Sequence, residues 1–586
     1  MRMGIGLGAV PAFGLLLNLA RVPIDWRIFL FIGAMPILIL TGKFFRRGAN
    51  FYGMFKDFKV NTYQLIAFVL FFISLYMYAQ GAFAYPYLED DDSWSHALGV
   101  KYVSIEKTVF AGIKSPFHYI DPYPPTYDML LGIMHQTNNS VYWTIKFFNA
   151  LIVSLSIIFF YFFVKVFAGS HRKALFSTFA LFAVPAFLSH FIWAISLTMP
   201  LFFVSFYAVE KIRDDKKWWV IAAIVIVTAI TSSPTHSTYF GLFFILYLAA
   251  RTFIERKFLI YEFLAGSSAL LLSFILWWLP VIIRFGFSGF LQGLGITAIR
   301  GFGNIRGTGD RIYTLSDFIF AKEVNMINNP IGIGIILSLL TILGLIFLVL
   351  KYKDMLNKEN HYKLITLLWF FLAFYAVNAV RFPIKLSPFR AWMLLAIPVS
   401  LLSGEAINLI DSLVKSAVKN FTKSTRIMPT AISLAVLGLV AYGIITTSFI
   451  QKYSVNTALW GPGGFWTFNE KGQSEELGGY IWFKDNVPSE AKVFTFSNNA
   501  LVIGLDKFIC HWCSDVIDYQ HNGFNQTIEQ NYNWLKQGQY KYIIIDGQAV
   551  RKFGINETNS KIQSYINFSK FRRIFSNNGM IIFEIL

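Results

Sequence analysis

The sequence predicts a mainly α-helical, multi-pass membrane protein with about 13 transmembrane helices, a large first outer loop and a C-terminal α/β domain outside the membrane. Three observations predict this fold class. Apolar residues make up 55% of the 586 residues and charged residues only 14%, whereas soluble domains carry about 25% charged residues. Long apolar segments recur up to about residue 450. Beyond them the chain becomes rich in Asn, Gln, Lys and Gly.

Each apolar segment of roughly 20 residues can cross a bilayer as a helix. Such segments lie near residues 4–20, 26–42, 62–84, 147–167, 174–190, 196–210, 218–232, 237–252, 262–284, 330–350, 363–379, 390–408 and 429–450. The first two predict a hairpin that, with a basic cytoplasmic loop, forms residues 1–60. Residues 61–450 are expected to form the main membrane domain, and residues 451–586 the outer domain.

Lysine and arginine cluster in alternate connectors between the predicted spans. Cytoplasmic loops of membrane proteins carry such an excess. The formal charge of +18 therefore indicates topology, and nucleic acid is not an expected partner. The chain is expected in the cell membrane, in contact with its lipids and with the N-terminus in the cytoplasm. The loops 85–146 and 286–329 and the C-terminal domain are then extracytoplasmic.

The C-terminal segment shows the pattern of a small α/β domain. Apolar runs at 492–496 and 542–545 indicate strands, and 571–586 indicates a hairpin around an Asn-Asn-Gly turn. Helical patterns flank these runs, at 475–486 and 527–537. Cys510 and Cys513 form a lone Cys-x-x-Cys pair, which favours a local disulfide or free thiols over zinc.

Four consecutive acids, Glu89 to Asp92, follow the third predicted span, and this acidic group is the main candidate site. Adjacent carboxylates repel one another unless a cation or a proton offsets their charge. If residues 91–105 are helical, Asp92 and His96 share one face. The group can supply a general base, receive a positive group, or hold Mg²⁺ or Mn²⁺ through Asp90, Asp91 and Asp92. The alternative is a solvated acidic cap at the membrane boundary.

A proline-rich stretch later in the same loop predicts an extended entry at 121–125, because proline disfavours helix there. Tyr123 and Tyr127 lie within or beside this stretch, and Asp128 and His118 are further candidates. The alternative is an ordinary proline turn that returns the chain to the membrane.

The acidic group, the histidine four residues after Asp92, and the Tyr-Pro-Pro-x-Tyr re-entry resemble the GT-C superfamily of membrane glycosyltransferases. Protein mannosyltransferases, aminoarabinose transferases and oligosaccharyltransferases have this type of fold. The segments 189–200 and 387–407 look similar too, so the likeness covers roughly 62–410 and the habit of ending in an outer domain. The WWDYG motif of the oligosaccharyltransferase branch is absent, which argues against recognition of an Asn-x-Ser/Thr acceptor.

The resemblance implies that a sugar moves from a polyprenyl-phosphate or dolichyl-phosphate carrier to a glycan, lipid or protein acceptor outside the cytoplasm. Asp92 is then the expected general base, with Asp91 the next choice, and His96 orients the carboxylate or contacts the acceptor. Direct displacement would invert the anomeric centre.

Basic residues are expected to bind the donor phosphate. Arg390 opens a late span, where an unpaired guanidinium is costly, and Arg381 and Lys385 are its neighbours. Arg306 lies in a glycine-rich basic loop. The alternative for these residues is contact with lipid headgroups or an ordinary flexible loop. Donor-side candidates at the ends of outer turns, for which a structural role is the alternative, are His190 and His236.

Two other functions stay open on the sequence. An oligosaccharyltransferase-like protein would transfer a lipid-linked glycan to Asn with the help of a divalent cation. A transporter or lipid flippase would move its cargo without chemistry, although such proteins tend to show half-repeats and midplane charges that this sequence lacks.

Overall fold

The computed structural model describes most of the chain. The described residues are 1–35, 61–112, 119–294, 311–321, 330–383, 386–422, 427–459 and 470–586. Contacts divide the chain into two compact units. The helical unit comprises Met1–Leu16, Phe29–Ala84 and Asn149–Ala458. The α/β unit comprises Leu17–Ile28, Tyr85–Phe148 and Leu459–Leu586.

Each apolar segment predicted to span the membrane overlaps a helix within the described residues, although residues 36–42 of the second segment lie outside them and the helix in segment 174–190 ends at Ala183. Among the described residues, seven helices are long and apolar enough to cross a bilayer: Arg2–Leu19, Thr62–Ala82, Val141–Phe167, Pro234–Glu255, Ile260–Gly293, Pro388–Asn420 and Ile427–Thr457. Shorter helices occupy the other predicted spans: Trp26–Met35, His171–Ala183, Ile195–Lys211, Trp218–Ile230, Ile335–Leu350 and His361–Val377. A mainly helical, multi-pass membrane protein is confirmed, whereas the number of crossings stays a prediction.

The longest helix of the helical unit, Pro388–Thr422, packs along four others. These are His171–Ala183, Ile335–Leu350, His361–Val377 and Ile427–Ile444. At Gly404 a Cβ atom would lie 2.1 Å from the hydroxyl oxygen of Ser177, so only glycine allows the two helices to approach this closely. Small residues serve in this way where membrane helices pack on one another.

The α/β unit contains one four-stranded sheet in the order β1-β2-β4-β3. Its strands are β1 (Val493–Thr495), β2 (Tyr542–Asp546), β3 (Phe571–Ser576) and β4 (Met580–Ile585). Strands β1 and β2 are parallel, whereas β4 runs antiparallel to both β2 and β3. Helices of the same segment are Glu470–Asn486, Asn499–Gly504, Ser514–Asn522, Ile528–Gln537, Gly547–Phe553 and Ile555–Ile566. The predicted hairpin, strands and flanking helices of this segment are thus confirmed.

Two details of the C-terminal segment refine the sequence interpretation. Asp546 ends β2 and caps the next helix, because its carboxylate accepts a hydrogen bond from the Ala549 amide at 3.0 Å. Cys510 and Cys513 form a disulfide, the first of the two states expected for them.

The first predicted outer loop folds into two helices, which we name the Asp91 helix (Asp91–Glu106) and the Asp128 helix (Thr126–His135). The next helix already begins at Val141, so the connection is shorter than 85–146. The predicted domains follow chain order, whereas the contacts group this loop with the C-terminal segment. The joining polar contacts are Lys101 to Glu490 at 2.6 and 2.7 Å, Ser140 to Asp506 at 2.6 Å, and Trp512 to Glu106 at 2.8 Å.

The turn between the first two helices belongs to the α/β unit as well. The Ile24 amide donates to the Lys107 carbonyl at 2.7 Å, and the Thr108 hydroxyl donates to Asn18 at 2.6 Å. This turn and the first outer loop therefore lie on the same side of the membrane, as the predicted alternation of spans requires.

The second predicted outer loop, 286–329, is described in part. Helix Leu279–Gly293 covers its beginning, and a short helix, Leu315–Ile319, lies near its end.

Candidate active site

The acidic group forms the beginning of the Asp91 helix. Asp90 is the capping residue, and its carboxylate accepts a hydrogen bond from the Asp91 amide at 2.7 Å. The Asp91 carboxylate accepts in turn from the Asp92 amide at 3.0 Å. The positive end of the helix dipole favours acids at this place. The helix predicted from 91–105 is therefore confirmed, and capping explains part of the acidic cluster.

Burial divides the four acids into different environments. Glu89 is only 3% exposed and accepts a hydrogen bond from the Ser93 hydroxyl at 2.9 Å, whereas Asp91 is exposed. Burial raises the pKa of Glu89, and burial with the neighbouring Asp91 raises the pKa of Asp90 to about 7. A raised pKa favours the neutral form of these two carboxyls, and the neutral form lessens the repulsion among the four acids.

A buried lysine, which sequence reasoning missed, lies beside the group. The Lys146 ammonium donates to the Tyr85 carbonyl at 2.9 Å and to the Tyr142 hydroxyl at 3.1 Å. Its positive charge lowers the pKa of Glu89 and so opposes the increase that burial causes. A lysine directly before the apolar span 147–167 was the sequence signal that could have identified it.

Asp92, the expected base, is half-buried, and its carboxylate accepts a hydrogen bond from the Tyr119 hydroxyl. Tyr119 stands just before the stretch 121–125 and was not among the predicted site residues. Its ring stacks on the His96 imidazole with centroids 4.5 Å apart. Tyr119 therefore links Asp92 to His96.

His96 pairs with Asp128. The His96 Nδ1 atom lies 2.6 Å from the Asp128 carboxylate, and each residue is only 1% exposed. Burial raises the pKa of Asp128, while His96 opposes this shift. The contact to Asp92 suggested for His96 is thus replaced by an indirect one through Tyr119. A carboxylate that fixes one imidazole nitrogen also fixes the ring's orientation.

Two glycines bring the Asp91 and Asp128 helices together. A Cβ atom at Gly99 would lie 2.2 Å from the Asp128 Oδ2 atom. A Cβ atom at Gly132 would lie 2.7 Å from the Val103 side chain. The helices run parallel, and the His96–Asp128 pair lies in the first part of this contact.

The predicted aromatic residues surround the pair. Tyr127 is buried and meets the His96 ring edge-on at 5.0 Å, and Tyr123 meets Tyr119 edge-on at 5.2 Å. The stretch 121–125 forms no helix, as the prolines predicted, and the Asp128 helix begins directly after it. Buried Asp121 holds the stretch by accepting a hydrogen bond from the Ala111 amide at 2.9 Å.

The predicted donor-binding residues belong to the helical unit. Arg390 lies half-buried in the first turn of helix Pro388–Thr422, and its charge acts on buried His236. Arg381 is exposed and donates to the Tyr313 carbonyl at 2.8 Å. His190 is fully buried with its Nδ1 atom against Gly81, which fits the structural alternative. Predicted candidates outside the described residues are Lys385, Arg306 and His118.

Metal ligation by Asp90, Asp91 and Asp92 was one predicted use of the acidic group. Across the described part of the chain, no three His, Cys, Asp or Glu side chains converge in a way that could hold a metal ion. These acids instead bond to amides and to Tyr119. Magnesium or manganese dependence stays a prediction.

No protein-family model matches the sequence, and no curated protein matches it. Solved structures do match. The archaeal oligosaccharyltransferase AglB from Archaeoglobus fulgidus, in complex with an inhibitory peptide and a dolichol-phosphate, has 13% identity over 90% of this chain and 74% of its own, with a TM-score of 0.48. ArnT from Cupriavidus metallidurans, bound to undecaprenyl phosphate, has 12% identity over 89% of this chain and 97% of its own, with a TM-score of 0.49.

A third match is the arabinosyltransferase EmbB from Mycobacterium smegmatis, at 11% identity over 83% of this chain and 44% of its own, with a TM-score of 0.34. At these identities and TM-scores the matches carry no argument about substrate or chemistry, which has to come from the site's own residues. All three matched proteins are GT-C glycosyltransferases, the superfamily that the sequence resembles.

Proposed function

We propose that this protein is a GT-C-type membrane glycosyltransferase. It transfers a sugar from a polyprenyl-phosphate or dolichyl-phosphate donor to a glycan, lipid or protein acceptor outside the cytoplasm. The observation that carries the proposal is the half-buried Asp92 carboxylate, which is held by the Tyr119 hydroxyl beside the buried His96–Asp128 pair.

The proposed reaction needs a base because an acceptor hydroxyl is a poor nucleophile. Asp92 takes the hydroxyl proton while the acceptor oxygen bonds to the anomeric carbon and the bond from that carbon to the phosphate oxygen breaks. The sugar configuration inverts, and the lipid phosphate leaves with the electron pair. Tyr119 and His96 are positioning residues, because they fix Asp92 before the substrate arrives.

The leaving phosphate needs a cation, and we assign this role to Arg390 on chemical grounds. A guanidinium binds phosphate oxygens through two parallel hydrogen bonds. Arg381 is the weaker candidate, since it already donates to a backbone carbonyl.

The test incubates purified protein with labelled polyprenyl-phosphate sugars and glycan, lipid or peptide acceptors, with and without a chelator. Transfer that persists without divalent cations, with an inverted product, is the expected result. Metal-dependent transfer to an Asn-x-Ser/Thr peptide would favour the oligosaccharyltransferase alternative instead. Uptake of a cargo by vesicles without any transfer would favour the transporter.

A further inference from the structure

A polar cleft of about 260 Å³ lies in the α/β unit. Its walls come from the turn at 25–27, the C-terminal parts of the Asp91 and Asp128 helices, residues 138–139, and Glu490. Ser104 in this cleft follows Asp92 by 12 residues, which corresponds to about 18 Å along a helix. The cleft is therefore separate from the acidic group.

The charged groups of the cleft are paired with one another. The Lys101 ammonium bonds both carboxylate oxygens of Glu490, at 2.6 and 2.7 Å. Lys107 donates to one carboxylate oxygen of Asp25 across the other wall. The lining holds three cations, Arg27, Lys101 and Lys107, against the carboxylates of Asp25 and Glu490, so the cleft carries a formal net charge of only +1. It offers hydrogen-bond donors and acceptors side by side, which match the neighbouring hydroxyls of a sugar.

A buried histidine of the same cleft keeps a polar atom without a partner. His135 is 3% exposed, and although the Asn138 side chain interacts with its ring, its Nδ1 atom forms no hydrogen bond within the part of the chain that the structure describes. Burial lowers the pKa of His135 to about 4, so the ring is neutral at physiological pH. An unsatisfied buried nitrogen is costly unless a ligand or water completes it.

Two further side chains suit a saccharide. Trp26 lies half-exposed in the wall and supplies an aromatic ring, with the Arg27 guanidinium over the ring at 5.7 Å from its centroid, while exposed Asn139 supplies an amide. An aromatic platform beside hydrogen-bonding groups suits a ligand that has one apolar face and a polar edge. Gln136 fixes the platform, since its side chain accepts from the Trp26 amide at 2.8 Å and donates to the Ile24 carbonyl at 2.7 Å.

We propose that this cleft binds a neutral saccharide unit, with Trp26 as the stacking surface and His135, Asn139 and the two lysine–carboxylate pairs as hydrogen-bonding partners. The inference goes beyond the proposed transfer reaction and does not depend on it. The saccharide can arrive as a free glycan or as the headgroup of a lipid, and both present the same hydroxyls.

The test uses the full chain purified in a zwitterionic detergent that carries no sugar headgroup. Saturation-transfer NMR is recorded with maltotriose, mannotriose and chitotriose as soluble probes, and with alkyl glycosides of the same sugars as lipid-linked probes. We expect binding of at least one probe, and about tenfold weaker binding in Trp26→Ala. Binding confined to the alkyl glycosides assigns the cleft to lipid-borne sugars, and binding of the soluble probes assigns it to free glycans.

A second variant keeps the test independent of folding. Asn139→Ala alters an exposed side chain and should also weaken binding, whereas Trp143→Ala, at an exposed tryptophan outside the cleft, should leave it unchanged. The proposal is overturned if no probe binds, if Trp26→Ala and Asn139→Ala bind as the unaltered protein does, or if inorganic phosphate binds in place of the sugars.

Discussion

Substitution of Gly99 by alanine should uncouple the His96–Asp128 pair while leaving its chemical groups intact. The new Cβ atom would lie 2.2 Å from the Asp128 Oδ2 atom and 2.9 Å from its Cγ atom. Real Cβ contacts are essentially never shorter than 3.0 Å, so the carboxylate has to move. Asp128 is buried and bonded to His96 at 2.6 Å, and any movement strains that bond.

The expected magnitudes follow from these contacts. Overpacking of a core costs about 1–3 kcal/mol, and replacing glycine by alanine inside a helix returns about 0.5–1 kcal/mol. The free energy of unfolding should therefore fall by about 0–2.5 kcal/mol. Loss of a hydrogen bond to a charged group costs about 1.5–3 kcal/mol. If that loss appears in the transition state, transfer slows by about ten- to a hundredfold.

The matched control is Gly132→Ala on the facing helix. Its Cβ atom would collide with the Val103 side chain at 2.7 Å but would not touch Asp128. Thermal unfolding and the transfer rate are measured for both variants. Both should lose similar stability, and only Gly99→Ala should lose the additional activity. Equal transfer rates at equal stability would refute the role assigned to the pair.

Three further predictions concern single groups. Tyr119→Phe removes the donor to Asp92 and should lower kcat about tenfold with little change in thermal stability. Burial raises the pKa of Asp90 to about 7, so the folded protein retains a proton that the unfolded chain releases near pH 4. The contribution of this carboxyl to the free energy of unfolding therefore decreases as the pH rises from about 4 to about 7. Asp90→Asn should therefore flatten the decline of Tm over that window, and an unchanged slope would contradict the shift. Arg390→Gln should raise the KM for the donor about tenfold. Arg381→Gln should change it little, because Arg381 already donates to the Tyr313 carbonyl. Equal effects of the two substitutions on KM would contradict the assignment.

Local patterns in the sequence predicted much of the fold. The acids before position 93 cap a helix, the prolines at 122, 124 and 125 keep that stretch free of helix, and Asn577-Asn578-Gly579 makes a hairpin turn, each for reasons that lie within a few residues. The apolar spans became helices because a bilayer leaves backbone groups no other partner.

The partners of the buried polar groups, in the candidate site and in the cleft, were beyond prediction because they come from distant parts of the chain. His96 bonds to Asp128, which lies 32 residues further along the chain, and Lys101 bonds to Glu490, which lies 389 residues further. Helical spacing suggested Asp92 as the partner of His96, but the packing of two helices on Gly99 brought a second carboxylate closer. No local pattern encodes such a contact.

The assignment of Asp92 as the base is tested most directly by comparing sugar transfer in two variants. Asp92→Asn keeps the size of the side chain and removes its basicity. Asp515→Asn makes the same change at an exposed acid in the first turn of another helix of the same unit. The account predicts that transfer falls by about a hundredfold or more in Asp92→Asn and is unchanged in Asp515→Asn, with normal folding in both. Normal transfer by Asp92→Asn, and by the double variant that also carries Asp91→Asn, would contradict it.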